Sequence, residues 1–277
     1  MNAAKTALVT GATDGLGRAV ARALAARGYQ VWLHGRDGAR GETLVREIVA
    51  RGGEARFVRA DFASLTEVRA LAASALRDLP GLDLLINNAG IGPARPGAQG
   101  RELSADGHEL RFAVNYLAGF LLTRRLLPLL GRSAPARIVN VSSAAQYPLD
   151  FDNLMLERAY SGMRAYAQSK LAQVLFTFDL ARELRAGNVA VTCLHPATYM
   201  DTAMVRAMGV RPLNTVEDGA AAVVRLACAP ELASRSGEFF NGLEAARAHP
   251  QAYDETARRR LAAVSAQLAA FPAGAAS

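Results

Sequence analysis

Six short runs of apolar and β-branched residues punctuate the chain: TALVT at 6–10, QVWLH at 30–34, ARFVRAD at 55–61, LDLLINNAG at 82–90, ARIVNVSS at 136–143 and VAVTCLHP at 189–196. Longer stretches of helical periodicity separate them. A strand that runs into such a helix returns parallel to itself, with the helix packed on a face of the sheet. Strands apolar along their whole length belong to a sheet covered on both faces. The pattern predicts an α/β fold, a doubly wound parallel sheet with helices on both sides. Nothing resembling an interdomain linker interrupts the 277 residues, a length within reach of one α/β domain. Residues 1–277 are therefore read as one unit, with a C-terminal helix and a frayed tail near 250–277.

With 51% hydrophobic and 21% charged residues, the chain can bury a large core. The N-terminal MNAAKTALVTG has no charged segment leading into a long apolar one, and later apolar runs such as FLLTRRLLPLL carry charge. That predicts a cytoplasmic chain with neither export signal nor membrane span. Cys193 and Cys228 fit no disulfide framework and no metal-ligand spacing; both are read as reduced, buried and apolar, and no metal is expected. A net charge of +7 raises the question of nucleic acid. The densest basic cluster, Arg258-Arg259-Arg260, lies in the polar phase of a helix without interleaved aromatics, so it reads as a solvated face and no nucleic-acid partner is expected. A basic surface suits a multiply anionic small ligand equally well.

The first chemical signal is TGATDGLG at 10–17, between the first strand and the first helix. Glycine there permits a tight turn and lets backbone approach a pyrophosphate, whose charge the helix N-terminus stabilises. Gly11, Gly15 and Gly17 match the general dinucleotide fingerprint in mechanism and not in spacing. About 20 residues on, at the end of the second strand, an acidic residue would bind the ribose diol of NAD. The run here is HGRDG, with neutral Gly35 and then Arg36. Arginine can pair with a 2′-phosphate that a carboxylate would repel, which points to NADP(H). Asp37 reads as the N-cap of the next helix, and Asp61 as either an adenine-edge partner or a cap.

Only two of the 32 basic residues are lysines, Lys5 and Lys170. Lys170 stands four residues after Tyr166, one helical turn later and on the same face. A tyrosine hydroxyl can give a proton to a developing alkoxide, and a compact ammonium beside it makes the phenolate accessible for the reverse reaction. A planar guanidinium would serve that arrangement poorly.

TGxxxGxG at 10–17, NNAG at 87–90, Asn115, the serines at 142 and 143, and Tyr166-x-x-x-Lys170, in this order, resemble the short-chain dehydrogenase/reductase family from about residue 5 to about 245. The resemblance implies a Rossmann-type fold and a catalytic set of Asn115, Ser143, Tyr166 and Lys170. Ser143 would bond the substrate oxygen, with Ser142 the competing assignment, because strand alternation turns only one of the two into the cleft. Asn115 would hold a relay water near Lys170; its plain alternative is a helix amide bonded to backbone. The implied NADP(H) contacts are Gly11, Thr13, Asp14, Gly15, Leu16 and Gly17, then Arg36, then Asp61 and Phe62, then Asn88, Ala89 and Gly90, and finally Tyr166, Lys170, Pro196, Thr198 and Thr202.

The chain departs from the family pattern in three places. The segment near 146–163 is longer than common, resembles an insertion of the retinol-dehydrogenase-like and WW-domain-oxidoreductase-like branches, and contains Tyr160-x-x-x-Arg164, read as a decoy because arginine lacks the point-charge geometry. Pro196-Ala197 replaces Pro-Gly, leaving both Thr198 and Thr202 as candidates for the nicotinamide contact. IGPARPGAQGR at 91–101 reads as a loop. Tyr199, Met200, Met204, Val205 and Met208 suggest a substrate lid near 197–215 for a mainly apolar ketone, aldehyde or secondary alcohol, with packing of a short helix as the alternative. A non-catalytic NADP-binding regulator and an extended-branch epimerase or dehydratase remain alternative functions. The resemblance points to a homodimer paired through the tyrosine helix, whose outer face could use Leu175 and Phe178, with a monomer as the alternative for a chain that has an insertion before that helix. The stripe Leu261, Val264 and Leu268 would dock the C-terminal helix on its own domain or on a partner.

Overall fold

The computed structural model describes residues 4–94 and 100–270; the tail at 271–277 and part of the 91–101 loop lie outside them. The elements follow the expected alternation: β1 (Thr6–Val9), α1 (Gly15–Ala25), β2 (Gln30–Gly35), α2 (Gly38–Ala50), β3 (Glu54–Arg59), α3 (Leu65–Asp78), β4 (Leu84–Asn87), α4 (Ala118–Arg132), β5 (Ala136–Val141), α5 (Gly162–Glu183), β6 (Val189–His195), α6 (Ala203–Ala207), α7 (Val216–Cys228), β7 (Glu238–Asn241), β8 (Glu244–Ala246) and α8 (Glu255–Leu268). Strand order is β3-β2-β1-β4-β5-β6-β7-β8, and each neighbouring pair is parallel except β7 with β8. The last two strands correct the six-strand reading. They are four and three residues long, too short to show a period; Asn241 pairs with Glu244, and Gly242, at φ +58°, is the first of the two turn residues and marks the hairpin.

Residues of β1 and β4 are buried throughout, as strands covered on both faces must be. One apolar cluster lies on the side of α3, α4 and α5, around Leu121, Leu126 and Leu175; the other lies beneath α1, α2 and α7, around Val20, Leu44 and Val223. Between β1 and β4 the chain reverses its direction of travel across the sheet, and the carboxyl ends of those strands diverge into a crevice.

Helix starts carry local instructions. Asp37 caps α2 by accepting from Arg40 N at 3.0 Å, and Ser64 accepts from Glu67 N at the start of α3. Thr215 and Asp218 form a reciprocal capping box on α7. α5 opens at Gly162 with Ser161 as cap. Cys193 is buried in β6, whereas Cys228 is only half-buried, beside Tyr29.

Candidate active site

The cleft at the switch point encloses about 1120 Å³ and runs from α2 to α6. At its centre Gly11 takes φ +65°, and a Cβ there would sit 2.8 Å from Ala89 Cα. A Cβ on Gly17 would sit 2.1 Å from the Gly11 carbonyl oxygen, so the turn packs this tightly only with glycine. Thr10 Oγ1 accepts from the amides of Asn88 and Ala89, while Asn88 Nδ2 donates to Thr10 O and Gly11 O. The Asn88-Ala89-Gly90 segment and the glycine loop are thus one hydrogen-bonded unit. Thr13, Gly15 and Leu16 line it. Asp14 caps α1 and pairs with Arg40 Nη1 at 3.0 Å.

Arg36 lines the far end of the cleft. Gly35 lies against Thr13, where a Cβ would be 2.5 Å from Thr13 Cγ2. Asp37 is spent on the α2 cap and on Arg40, which confirms its structural reading. Arg40, absent from the expected contacts, joins Arg36 here from the first turn of α2. Asp61 Oδ1 accepts from Ala63 N at 2.9 Å, so its turn role is realised, and both Asp61 and Phe62 still line the cleft.

At the other end the two serines separate as alternation requires. Ser142 donates to the Lys170 carbonyl at 2.7 Å and is committed to packing. Ser143 meets the Tyr166 hydroxyl, and that hydrogen bond opposes the burial that raises the phenol's pKa. Lys170 is 4% exposed; its Nζ donates to Val141 O at 2.9 Å and Gln173 Oε1 at 3.0 Å and lies 5.8 Å from the Tyr166 ring centre. Burial pushes this ammonium down to about 7, because its acceptors are neutral and compensate little of the lost hydration. Asn115 sits in a π-helical turn, Phe112–Leu117, preceding α4. Its side chain accepts from Ile91 N at 2.7 Å and donates to Ile91 O and Ser169 Oγ. The amide is thus bonded to the Ile91 backbone and to Ser169, and it holds the loop beside Gly90 and Lys170. His195, not foreseen, ends β6 in the cleft, 3.0 Å from Thr198 Oγ1, with its pKa lowered by burial and by Lys170.

Pro196, Thr198 and Thr202 border the cleft, as do Tyr199, Met200, Met204, Val205 and Met208. Thr202 caps α6 through Val205 N, and its methyl faces Gly15. Tyr160 is a structural residue: Arg111 Nη1 donates to its hydroxyl at 2.7 Å, and the hydroxyl donates to Glu109 Oε1. Arg111 also holds Gly92 O and Pro93 O, tying the insertion to the cleft wall. Arg164 pairs with Asp150 and lies over Tyr147. The expected dimer face corrects likewise. Leu175 is fully buried within its own chain, and Phe178 packs on Tyr253 at 5.3 Å between ring centres, because α8 and the turn before it lie on α5. Leu261 is buried there, with Val264 and Leu268 beside it. Arg260 pairs with Asp152 and Arg258 donates to Ala252 O, both outside α8, whereas Arg259 pairs with Glu255 within α8.

A switch-point crevice with a glycine turn leading into α1 defines the nucleotide-binding class of doubly wound α/β proteins. The chain belongs to the short chain dehydrogenase family, whose model matches residues 5–211, and it is an oxidoreductase of that family, in the retinol-dehydrogenase-like branch. Retinol dehydrogenase 13 of Homo sapiens is 38% identical, over 97% of this chain and 86% of its own length. A crystal structure from Mycobacterium paratuberculosis superposes with a TM-score of 0.80 at 32% identity, covering 97% of this chain and 95% of the other. A short chain dehydrogenase from Burkholderia cenocepacia, solved in complex with NADP, does so with a TM-score of 0.69 at 30% identity, covering 86% and 95%.

Proposed function

We propose that the chain transfers hydride between NADP(H) and a mainly apolar ketone, aldehyde or secondary alcohol, with Tyr166 as proton donor and acceptor. The observation that carries this reading is the group of Ser143, Tyr166 and Lys170 at one end of a cleft large enough for a long cofactor and a substrate. The donor set fits NADP(H): Arg36 and Arg40 lie where a 2′-phosphate would end, the carboxylates of Asp14 and Asp37 at that end are paired with Arg40, and the packed glycine turn admits a diphosphate. When bound, the nicotinamide supplies the hydride.

The protein's own groups handle the proton. Burial raises Tyr166, so the phenol is protonated at neutral pH and ready to donate to the carbonyl oxygen as charge develops. Ser143, bonded to Tyr166, presents its hydroxyl to the same oxygen. Lys170 lies 5.8 Å from the ring centre with Val141 O and Gln173 Oε1 as neutral acceptors, and anionic charge arriving near it favours the ammonium, which in turn favours phenolate for oxidation. Met163, Met204 and Met208 give the substrate end an adaptable apolar wall. Likeness to a retinol dehydrogenase supports long apolar substrates, with retinoids first on the panel.

The test follows absorbance at 340 nm with NADPH and then NADH against retinoid, aromatic, cyclic and long-chain carbonyls. NADPH-dependent turnover by the native chain, lost in Tyr166→Phe, is the expected result. Equal turnover in both would overturn the proton-donor assignment, and binding of NADPH without turnover of any carbonyl would favour the regulator.

A further inference from the structure

His34 sits one residue before the end of β2, 2% exposed, and joins three segments of the cleft. Its Nδ1 is 3.3 Å from the Gly11 amide, its Nε2 is 3.0 Å from the Ala60 carbonyl, and its ring lies flat on Phe62 at 4.2 Å and 19°. Its own carbonyl accepts from Ala12 N at 2.8 Å. A carbonyl cannot donate, so Nε2 carries the proton and Nδ1 keeps the lone pair that accepts from Gly11. One neutral tautomer satisfies both contacts.

We propose that His34 is a positioning residue for the adenosine-diphosphate half of the cofactor, its ring setting the glycine loop against the Asp61-Phe62 wall at the spacing this half requires. This role for His34 rests on the NADP(H) reading above. Gly11 lies in the left-handed region, at φ +65°, and its amide faces the end of β2 and not the cleft. An apolar side chain at position 34 would leave that buried N–H without an acceptor, and the loop would move to recover one. Phe62, which lines the cleft, rests its face on the same ring, so a shift of the imidazole reaches both walls together.

The experiment titrates the folded chain with NADPH by fluorescence and then displaces it with adenosine 2′,5′-bisphosphate, which carries the adenosine half alone. His34→Phe keeps the stack on Phe62 and removes both hydrogen bonds; it is expected to weaken both ligands about tenfold, in line with one lost buried bond. His34→Asn restores an acceptor near Gly11 and is expected within about threefold of the native chain. Native affinity in His34→Phe with only a lower melting temperature would reduce His34 to a packing residue and overturn the proposal, as would equal weakness of the Asn and Phe variants. If His34→Phe does not fold, His34→Asn is compared with His34→Gln, whose acceptor lies one bond farther out; weaker binding by the Gln variant supports the proposal and equal binding overturns it. A native chain that binds neither NADPH nor NADH fails the cofactor reading itself, and His34 falls with it.

Discussion

Lys170 is held in a place that costs folding free energy, since a buried ammonium with neutral acceptors loses hydration that no counter-charge repays. Lys170→Met is expected to abolish turnover while raising the melting temperature of the ligand-free chain by a few degrees, measured by calorimetry beside the 340 nm assay; a lower melting temperature would contradict the account. Tyr166→Phe removes only the hydroxyl proposed as proton donor, so turnover should fall about 10²- to 10⁴-fold with NADPH affinity nearly unchanged. Burial, against the pull of Asp61 and with the push of Arg36, lowers His34 to about 4. The unfolded chain takes up that proton near 6.5, so the contribution is complete above pH 6.5 and is lost as pH falls from there to about 4. The loss amounts to about 3 kcal/mol. Urea unfolding across that range should show the decline, and it should be flatter in His34→Asn.

The glycine loop works as an element because two of its residues have no room for a side chain. Gly17→Ala would drive a Cβ into the Gly11 carbonyl, which is backbone and cannot step aside. We expect a cost of about 1–3 kcal/mol for overpacking and loss of measurable NADPH binding by titration. The cleft wall at α6 behaves differently. A Cβ on Gly92 would meet Met204 Cγ at 2.7 Å, the flexible part of a side chain that can move. Gly92→Ala should therefore leave stability nearly unchanged and raise the KM for bulky carbonyls, with small ones less affected; equal effects on both would place Met204 outside the substrate path.

Across the whole molecule, α8 covers the face of α5 that would otherwise be free. Tyr116 meets Ser265 at 2.7 Å under this contact, and Arg182 of α5 pairs with Glu255 of α8. A chain whose α5 is already covered should scatter light as a 29.3 kDa monomer. Leu261→Asp, which places a charge in the buried contact, should uncover α5 and promote association; a native dimer that survives this substitution would locate the interface elsewhere. Among the described residues no helix is long and apolar enough to cross a membrane, and no group of His, Cys, Asp or Glu is placed to hold a metal ion.

Local rules made much of this legible from the residues alone. Strand and helix alternation specified a covered parallel sheet because each period admits one kind of packing. Asp37 was readable as a cap from its neighbours, and Tyr166 with Lys170 from one turn of helix, because both depend on residues within four positions. Contacts that join distant segments were hidden. Nothing near Arg111 in sequence indicates that it clamps Tyr160 to Gly92 and Pro93, or that Asn115 spends its amide on Ile91. His34 is an ordinary strand residue until Gly11, Ala60 and Phe62 close around it, and Leu175 looks like an interface until α8 arrives from some eighty positions later. Periodicity reports which face of an element is apolar; which element covers that face depends on the path of the whole chain, and so does the partner of every buried polar group.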